Sequence, residues 1–239
     1  MGKWGFRDHS GNVAIAPRFE KASAFSQNRA RVRLNRKWGF IDRQGNIVIE
    51  PAFDMVQDFS EGMVVVRRGK RYGYLNHNGK ITIPLRYEEA YRFYQNLARV
   101  RNQGKWGFID RSGELVIPYR FDFASDFSDG LACVQIEQSW GYINKNGKMV
   151  IESQFADAAD FSEGLAQVQQ NNKWGYIDPK GAFVIQPQFD DAQEFIDGQA
   201  RVRLGNKWGY LDRSGALNMG ALHGQLNRKG KLRLNTRPP

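Results

Sequence analysis

Trp-Gly recurs every 34 residues along this chain, at Trp4-Gly5, Trp38-Gly39, Trp106-Gly107, Trp140-Gly141, Trp174-Gly175 and Trp208-Gly209, and Tyr72-Gly73 fills the slot without Trp. Seven copies in register, with no insertion, constrain the chain to an array of one supersecondary unit. Every side chain then belongs to a column repeated along the array. That organisation removes most enzyme readings, because catalytic sets need unlike residues brought together once.

A 34-residue period is shared with a helical hairpin, the tetratricopeptide repeat, so the period alone is ambiguous. The residues within it are not. Each copy carries two near-fixed turn glycines and often a proline, which would break helices repeatedly. Apolar residues alternate with period two in Ala30-Arg31-Val32-Arg33, Ala98-Arg99-Val100-Arg101 and Ala200-Arg201-Val202-Arg203, as a half-buried strand requires. One unit reads as a strand at residues 38–42, a turn closed by Gly45, and a second strand at 46–49. A connector at 51–62 and a third strand at 63–67 complete it. Within the connector an aromatic pair recurs six residues apart (Phe53/Phe59, Phe121/Phe127, Phe155/Phe161), which suits either a short fourth strand or a single helical turn.

The expected fold class is therefore all-β: a tandem array of 34-residue repeats, each of three to four short antiparallel strands. An open superhelix or solenoid is favoured over a closed β-propeller, because the signature collapses after Met219, where the aromatic slots hold His223 and Lys229. Closure would need an unusual strand such as residues 231–234. Open ends would expose sheet edges and invite self-association. The expected domains are one array over residues 1–219, with incomplete first and last units, and a basic, flexible tail over 220–239.

Comparing the copies assigns roles to several slots. The residue after the second aromatic's turn is Gly62, Gly130, Gly164 and Gly198, but Asn28 and Asn96 elsewhere. Gly and Asn share tolerance of a left-handed backbone, which predicts φ > 0. The strand-ending acid is Asp8, Asp42, Asp110, Asp178 and Asp212, but Asn76 and Asn144 elsewhere; Asp and Asn both close turns through their side-chain oxygen. A cation before the aromatic (Lys3, Lys37, Arg71, Lys105, Lys173) precedes an acid by 17 residues (Glu20, Asp54, Glu88, Asp122, Asp190), and the fifth copy lacks both, with Ser139 and Ala156. These columns are expected to form ion pairs within repeats.

With Lys-Trp-Gly-Phe-Ile-Asp-Arg-x-Gly and Phe-Ser-Glu-Gly-Leu-Ala-x-Val spelled out, the chain resembles the WG-repeat (KWG-repeat) family of tandem β repeats, found mainly in bacteria. The resemblance covers residues 3–219. Tyr72, Arg7 and Ser139 depart from its pattern. It implies a non-enzymatic repeat module, often joined to other domains, and it supplies no binding residues.

The net charge of +10 is unevenly placed. Arg228, Lys229, Lys231, Arg233 and Arg237 give the tail +5, so the array carries the other +5. No signal sequence or run of 18 apolar residues is present, so the default expectation is a cytoplasmic protein, or a fragment of a larger one. Cys133, the single cysteine, is read as a half-buried or exposed bystander, and His9 and His77 as solvated turn residues. No catalytic set, metal-ligand spacing or cofactor motif stands out, and the turns offer calcium too few oxygens. Trp4, Trp38, Tyr72, Trp106, Trp140, Trp174 and Trp208 are read as inter-repeat core. The candidate binding residues are Arg31, Arg33, Arg67, Arg99, Arg101, Arg201 and Arg203, two outward columns of the third strand. They would present a partly cationic β surface to a protein or anionic polymer. Specific nucleic-acid binding is not supported, since the aromatics it would need are assigned to the core. The alternative is a purely structural spacer or cell-surface-anchoring array.

Overall fold

The computed structural model describes residues 2–218. His223, the tail over 220–239 and the strand considered at 231–234 lie outside them. The chain divides into two compact units, Met1–Phe121 and Asp122–Pro239. Every regular element among the described residues is a β-strand.

The first unit begins with a two-stranded antiparallel sheet, Trp4–Arg7 against Val13–Phe19. Three four-stranded sheets follow, each a simple antiparallel meander. The first comprises Lys21–Ala22, Ala30–Leu34, Lys37–Ile41 and Ile47–Phe53. The same order repeats 34 residues later, from Met55–Val56 to Ile81–Tyr87, and again from Glu89–Ala90 to Leu115–Phe121. The second unit holds three more meanders, over 123–155, 157–189 and 191–218. Each sheet therefore starts inside the connector, so the fourth-strand option is the one adopted.

The last strand of the first five meanders runs longer than its pattern suggests, at seven residues each. Ile47–Phe53 passes straight through Pro51. Proline is tolerated there because the register against Lys37–Ile41 shifts on both sides of Phe40, a bulged edge with no donor required. The same irregularity brings the backbone of this strand onto Gly39 and its equivalents. A Cβ on Gly107 would stand 2.6 Å from the Ile117 carbonyl oxygen, so the glycine of Trp-Gly is set by contact with the neighbouring strand.

The turns follow the chemistry read from the slots. The Gly/Asn slot has φ of +62° at Asn28, +67° at Asn96 and +75° at Gly62. The preceding residue is also left-handed, +50° at Glu61 for example, so these are two-residue hairpin loops whose twist matches the flanking strands. Asp42 Oδ1 accepts the backbone N–H of Gln44 and Asn46 at 3.0 and 2.8 Å. Asn76 Oδ1 does the same for Asn78 and Lys80, both at 3.0 Å, which explains why the acid is exchangeable.

The core of each unit lies between consecutive sheets. Phe40, Ile49 and Phe53 from one face of a sheet meet Val56, Val64, Val66 and Leu75 from the next. Tyr142, Ile151 and Phe155 likewise meet Ala166, Val168 and Ile177 in the second unit. The centre of each layer is the second aromatic of the Trp-Gly-aromatic triplet: Phe40, Tyr74, Phe108, Tyr142 and Tyr176 are all buried. The tryptophans sit further out. Trp106 is only 5% exposed, while Trp38, Trp140, Trp174, Trp208 and Tyr72 are half-buried. Trp4 departs from its core assignment at 55% exposed, because its two-stranded sheet is the one sheet without the two strands that elsewhere precede the Trp strand.

The hairpin loops add a polar lock between repeats. Ser60 Oγ donates to the Phe93 carbonyl at 2.7 Å, and Ser128 Oγ to that of Phe161 at 2.7 Å. The adjacent acid accepts from the next loop: Glu61 from the Asn96 N–H at 3.0 Å, and Glu163 from the N–H groups of Asp197 and Gly198 at 2.7 and 2.9 Å.

Of the expected ion-pair columns, Lys37–Asp54 and Lys173–Asp190 form at 2.5 Å each. Both carboxylates also accept a turn N–H, from Gly69 and Gly205, at 2.6 Å. Arg71 instead donates to the Arg86 carbonyl at 3.1 Å. The bonded lysine and then the turn N–H hold Asp54 and Asp190 below the usual carboxylate range. Bonds from Asn46, Ser112 and Ser214 do the same for Asp42, Asp110 and Asp212. Since these groups bind protons less readily folded than unfolded, their stabilisation is complete above the unfolded value of about 3.9 and is lost as pH falls through the folded values. Urea midpoints are expected to fall below about pH 4; a midpoint that rises there would contradict this assignment.

Candidate functional site

The two arginine columns share one face of each sheet, on the strand that pairs with the Trp strand. In register, Arg31 lies opposite Phe40 and Arg33 opposite Trp38. They do not share one environment.

The first column is Arg31, Val65, Arg99, Cys133, Gln167 and Arg201. Its neutral members are buried, so this column faces the neighbouring layer and is not the open surface expected for it. Arg31 reaches the next sheet, with Nε 3.0 Å from Asp58 and Nη1 donating to the Val56 carbonyl at 3.4 Å. The guanidinium of Arg99 lies 3.8 Å from the Tyr91 ring centroid, and that of Arg201 lies 4.2 Å from Trp208.

Column identity follows the buried aromatic opposite. Arg31 and Arg99 oppose Phe40 and Phe108, whereas Val65, Cys133 and Gln167 oppose Tyr74, Tyr142 and Tyr176. Those three hydroxyls each donate to the carbonyl 17 residues on, at Tyr91, Ala159 and Gln193, at 2.7–2.8 Å. Where Phe has no hydroxyl, Arg31 supplies a donor to the same segment of the next sheet. Arg201, opposite the half-buried Tyr210 in the last described sheet, stands outside this rule. Cys133 is buried, not half-buried or exposed as expected, and burial pushes its thiol far up, away from nucleophilic use.

The second column, Arg33, Arg67, Arg101, Gln135, Gln169 and Arg203, differs in that its neutral members are also part-exposed, whereas its arginines are about as exposed as Arg31, at 30%. Side-chain exposure is 29% at Arg33, 37% at Arg101 and 34% at Arg203. Partners are exposed acids of the same sheet, Glu89 at 2.8 Å from Arg101 and Asp191 at 4.0 Å from Arg203, or turn carbonyls, Gly69 for Arg67 at 2.7 Å. Such surface pairs contribute little and exchange readily. Two of the acids beside these columns, Glu89 and Asp191, come from the two-residue first strand, which no periodicity announces.

His77 packs on Phe59 with centroids 5.0 Å apart, and burial, then Arg29, lowers its pKa. Among the described residues no group of three or more His, Cys, Asp or Glu side chains is placed to hold a metal ion. None of the described residues forms a helix long and apolar enough to cross a membrane.

Meanders repeated every 34 residues, linked by a single residue and bridged by contacts between their hairpin loops, define a tandem β-repeat protein. The family model for the WG containing repeat matches residues 4–38, 38–72, 72–106, 106–138, 140–174 and 174–208, and the chain belongs to this family. No curated protein sequence matches it. Among solved structures, a eukaryotic initiation factor superposes with a TM-score of 0.57 at 13% identity, covering 90% of this chain and 72% of that one. Hsv2p of Kluyveromyces lactis gives 0.48 at 8% identity, covering 82% and 74%. At 13% identity the first likeness is one of fold alone.

Proposed function

We propose that the chain is a non-catalytic binding or scaffolding module whose second arginine column presents a partly cationic β surface to a protein or anionic polymer. One observation carries this. Four of the six four-stranded sheets place an arginine at the same register, part-exposed, and three of the four have an ion-pair partner that is itself part-exposed. An acidic partner replaces such contacts at low cost, and repetition along the chain multiplies a weak individual contact. The first column belongs to the scaffold.

Retention on heparin, DNA and an acidic peptide, at low and high salt, tests the proposal. The variant carrying Arg33→Gln, Arg67→Gln, Arg101→Gln and Arg203→Gln is expected to elute at clearly lower salt than the parent on heparin or the acidic peptide. Equal retention would favour a structural spacer instead. Removing residues 220–239 in parallel separates the contribution of the tail.

A further inference from the structure

The residue that opens each four-stranded sheet lies directly opposite the second arginine column. The pairs are Lys21–Arg33, Met55–Arg67, Glu89–Arg101, Phe123–Gln135, Asp157–Gln169 and Asp191–Arg203. Glu89 and Asp191 neutralise the arginine they face. The first sheet alone sets a cation against a cation, and like charges directly opposite destabilise a sheet.

Two further cations converge there. Arg36 occupies the tip of the adjoining hairpin with φ of +62°, and Lys3 precedes the Trp4 strand. In the column of Lys3, Lys37 and Lys173 have their acids at 2.5 Å. Glu20, the acid in register with Lys3, is used otherwise: it accepts the Arg36 backbone N–H at 3.1 Å and lies 3.6 Å from Arg33 Nε. Lys3, Lys21 and Arg36 consequently make no ion pair with any described residue, and Arg33 Nε is buried without a hydrogen bond. With Gly2 and Glu20, these four cations line a cavity of about 270 Å³.

We propose that this cavity is a binding site for a phosphate group. Four cations against one carboxylate leave a repulsion that the protein does not relieve, and an anion carrying two or more charges would relieve it. A phosphate offers several acceptor oxygens to the guanidinium forks of Arg33 and Arg36 and to two ammonium groups, whereas a single carboxylate offers two. The volume suits a phosphate or diphosphate and falls short of the usual drug-sized pocket. This goes beyond the cationic column, because Lys3, Lys21 and Arg36 lie outside it.

Titration calorimetry of the full chain with inorganic pyrophosphate in low-salt buffer tests the site. Vesicles of phosphatidylcholine with and without phosphatidic acid test the same group on a lipid. Saturable binding to either probe is expected in the parent. Lys21→Glu restores the pairing used by Glu89 and Asp191, so it is expected to keep or raise the melting temperature while weakening binding at least tenfold. Arg36→Asn, the residue of this slot at Asn172 and Asn206, is expected to weaken it likewise. Lys148→Gln, an exposed turn position within another sheet and outside both arginine columns, is expected to leave it unchanged. Absence of saturable binding to both probes, unaltered binding in Lys21→Glu, or an equal loss in Lys148→Gln would each overturn the proposal. Arg67, Arg101 and Arg203 are intact in the two site variants, so losing pyrophosphate binding and losing heparin retention are separate outcomes.

Discussion

Replacing Gly107 by alanine is expected to destabilise the protein by about 3 kcal/mol or more, among the larger effects a single methyl group produces. The added Cβ would stand 2.6 Å from the Ile117 carbonyl oxygen and 3.0 Å from Tyr119 Cδ1. Relief requires the last strand of the sheet, Leu115–Phe121, to move off the Trp strand. That strand carries Ile117 and Phe121, both buried, so it cannot shift without opening the layer beneath. Gly104 is the informative contrast. It has open space around its Cα but a φ of +75°, so alanine there meets only backbone strain and is expected to cost about 1 kcal/mol. Denaturant unfolding of the two variants separates the two reasons for glycine. Equal effects would mean that the close approach does not set the Trp-Gly slot.

The second large effect concerns Arg31. Its replacement by valine is expected to cost about 2 kcal/mol, mainly through lost packing of the long side chain and an unpaired Val56 carbonyl, since the half-exposed pair with Asp58 adds little. Adding Phe40→Tyr should recover part of that loss by supplying a new bond to the same segment. The new hydroxyl would meet the Gln57 carbonyl as Tyr74 meets that of Tyr91, and the double variant reproduces the Val65–Tyr74 arrangement of the next sheet. A double-mutant cycle measures the coupling. Strict additivity would show that the Arg–Phe and neutral–Tyr pairings are unrelated.

The period, the strand class and the turn chemistry were legible in the sequence because each rests on local backbone preference: Asn28 and Gly62 share a φ, and Asp42 and Asn76 share an acceptor oxygen. Features made by contact between strands or sheets were harder to read. Pro51 was read as the start of the connector, yet a bulged edge keeps it within the strand Ile47–Phe53. Trp38 was the louder signal, but Phe40, on the same face of the strand, occupies the centre of the layer and is buried where Trp38 is half-buried. The two arginine columns have identical periodicity, and only their opposite partners, Phe40 and Trp38, distinguish them. The Ser60 and Glu61 lock was also visible as a recurring Phe-Ser-Glu-Gly, but its partners lie 33 and 35 residues away, beyond any pattern within one unit.

The proposed role depends most on whether the second column carries an anionic partner. The direct measurement is the salt dependence of heparin affinity for the chain lacking residues 220–239, with and without the four Arg→Gln changes at 33, 67, 101 and 203. Each arginine that contacts a polyanion contributes counterion release, so the slope of log affinity against log salt should become shallower by roughly one for each contact removed. A clearly shallower slope in the variant is the predicted result. The same slope and affinity in both chains would contradict a binding role for the column.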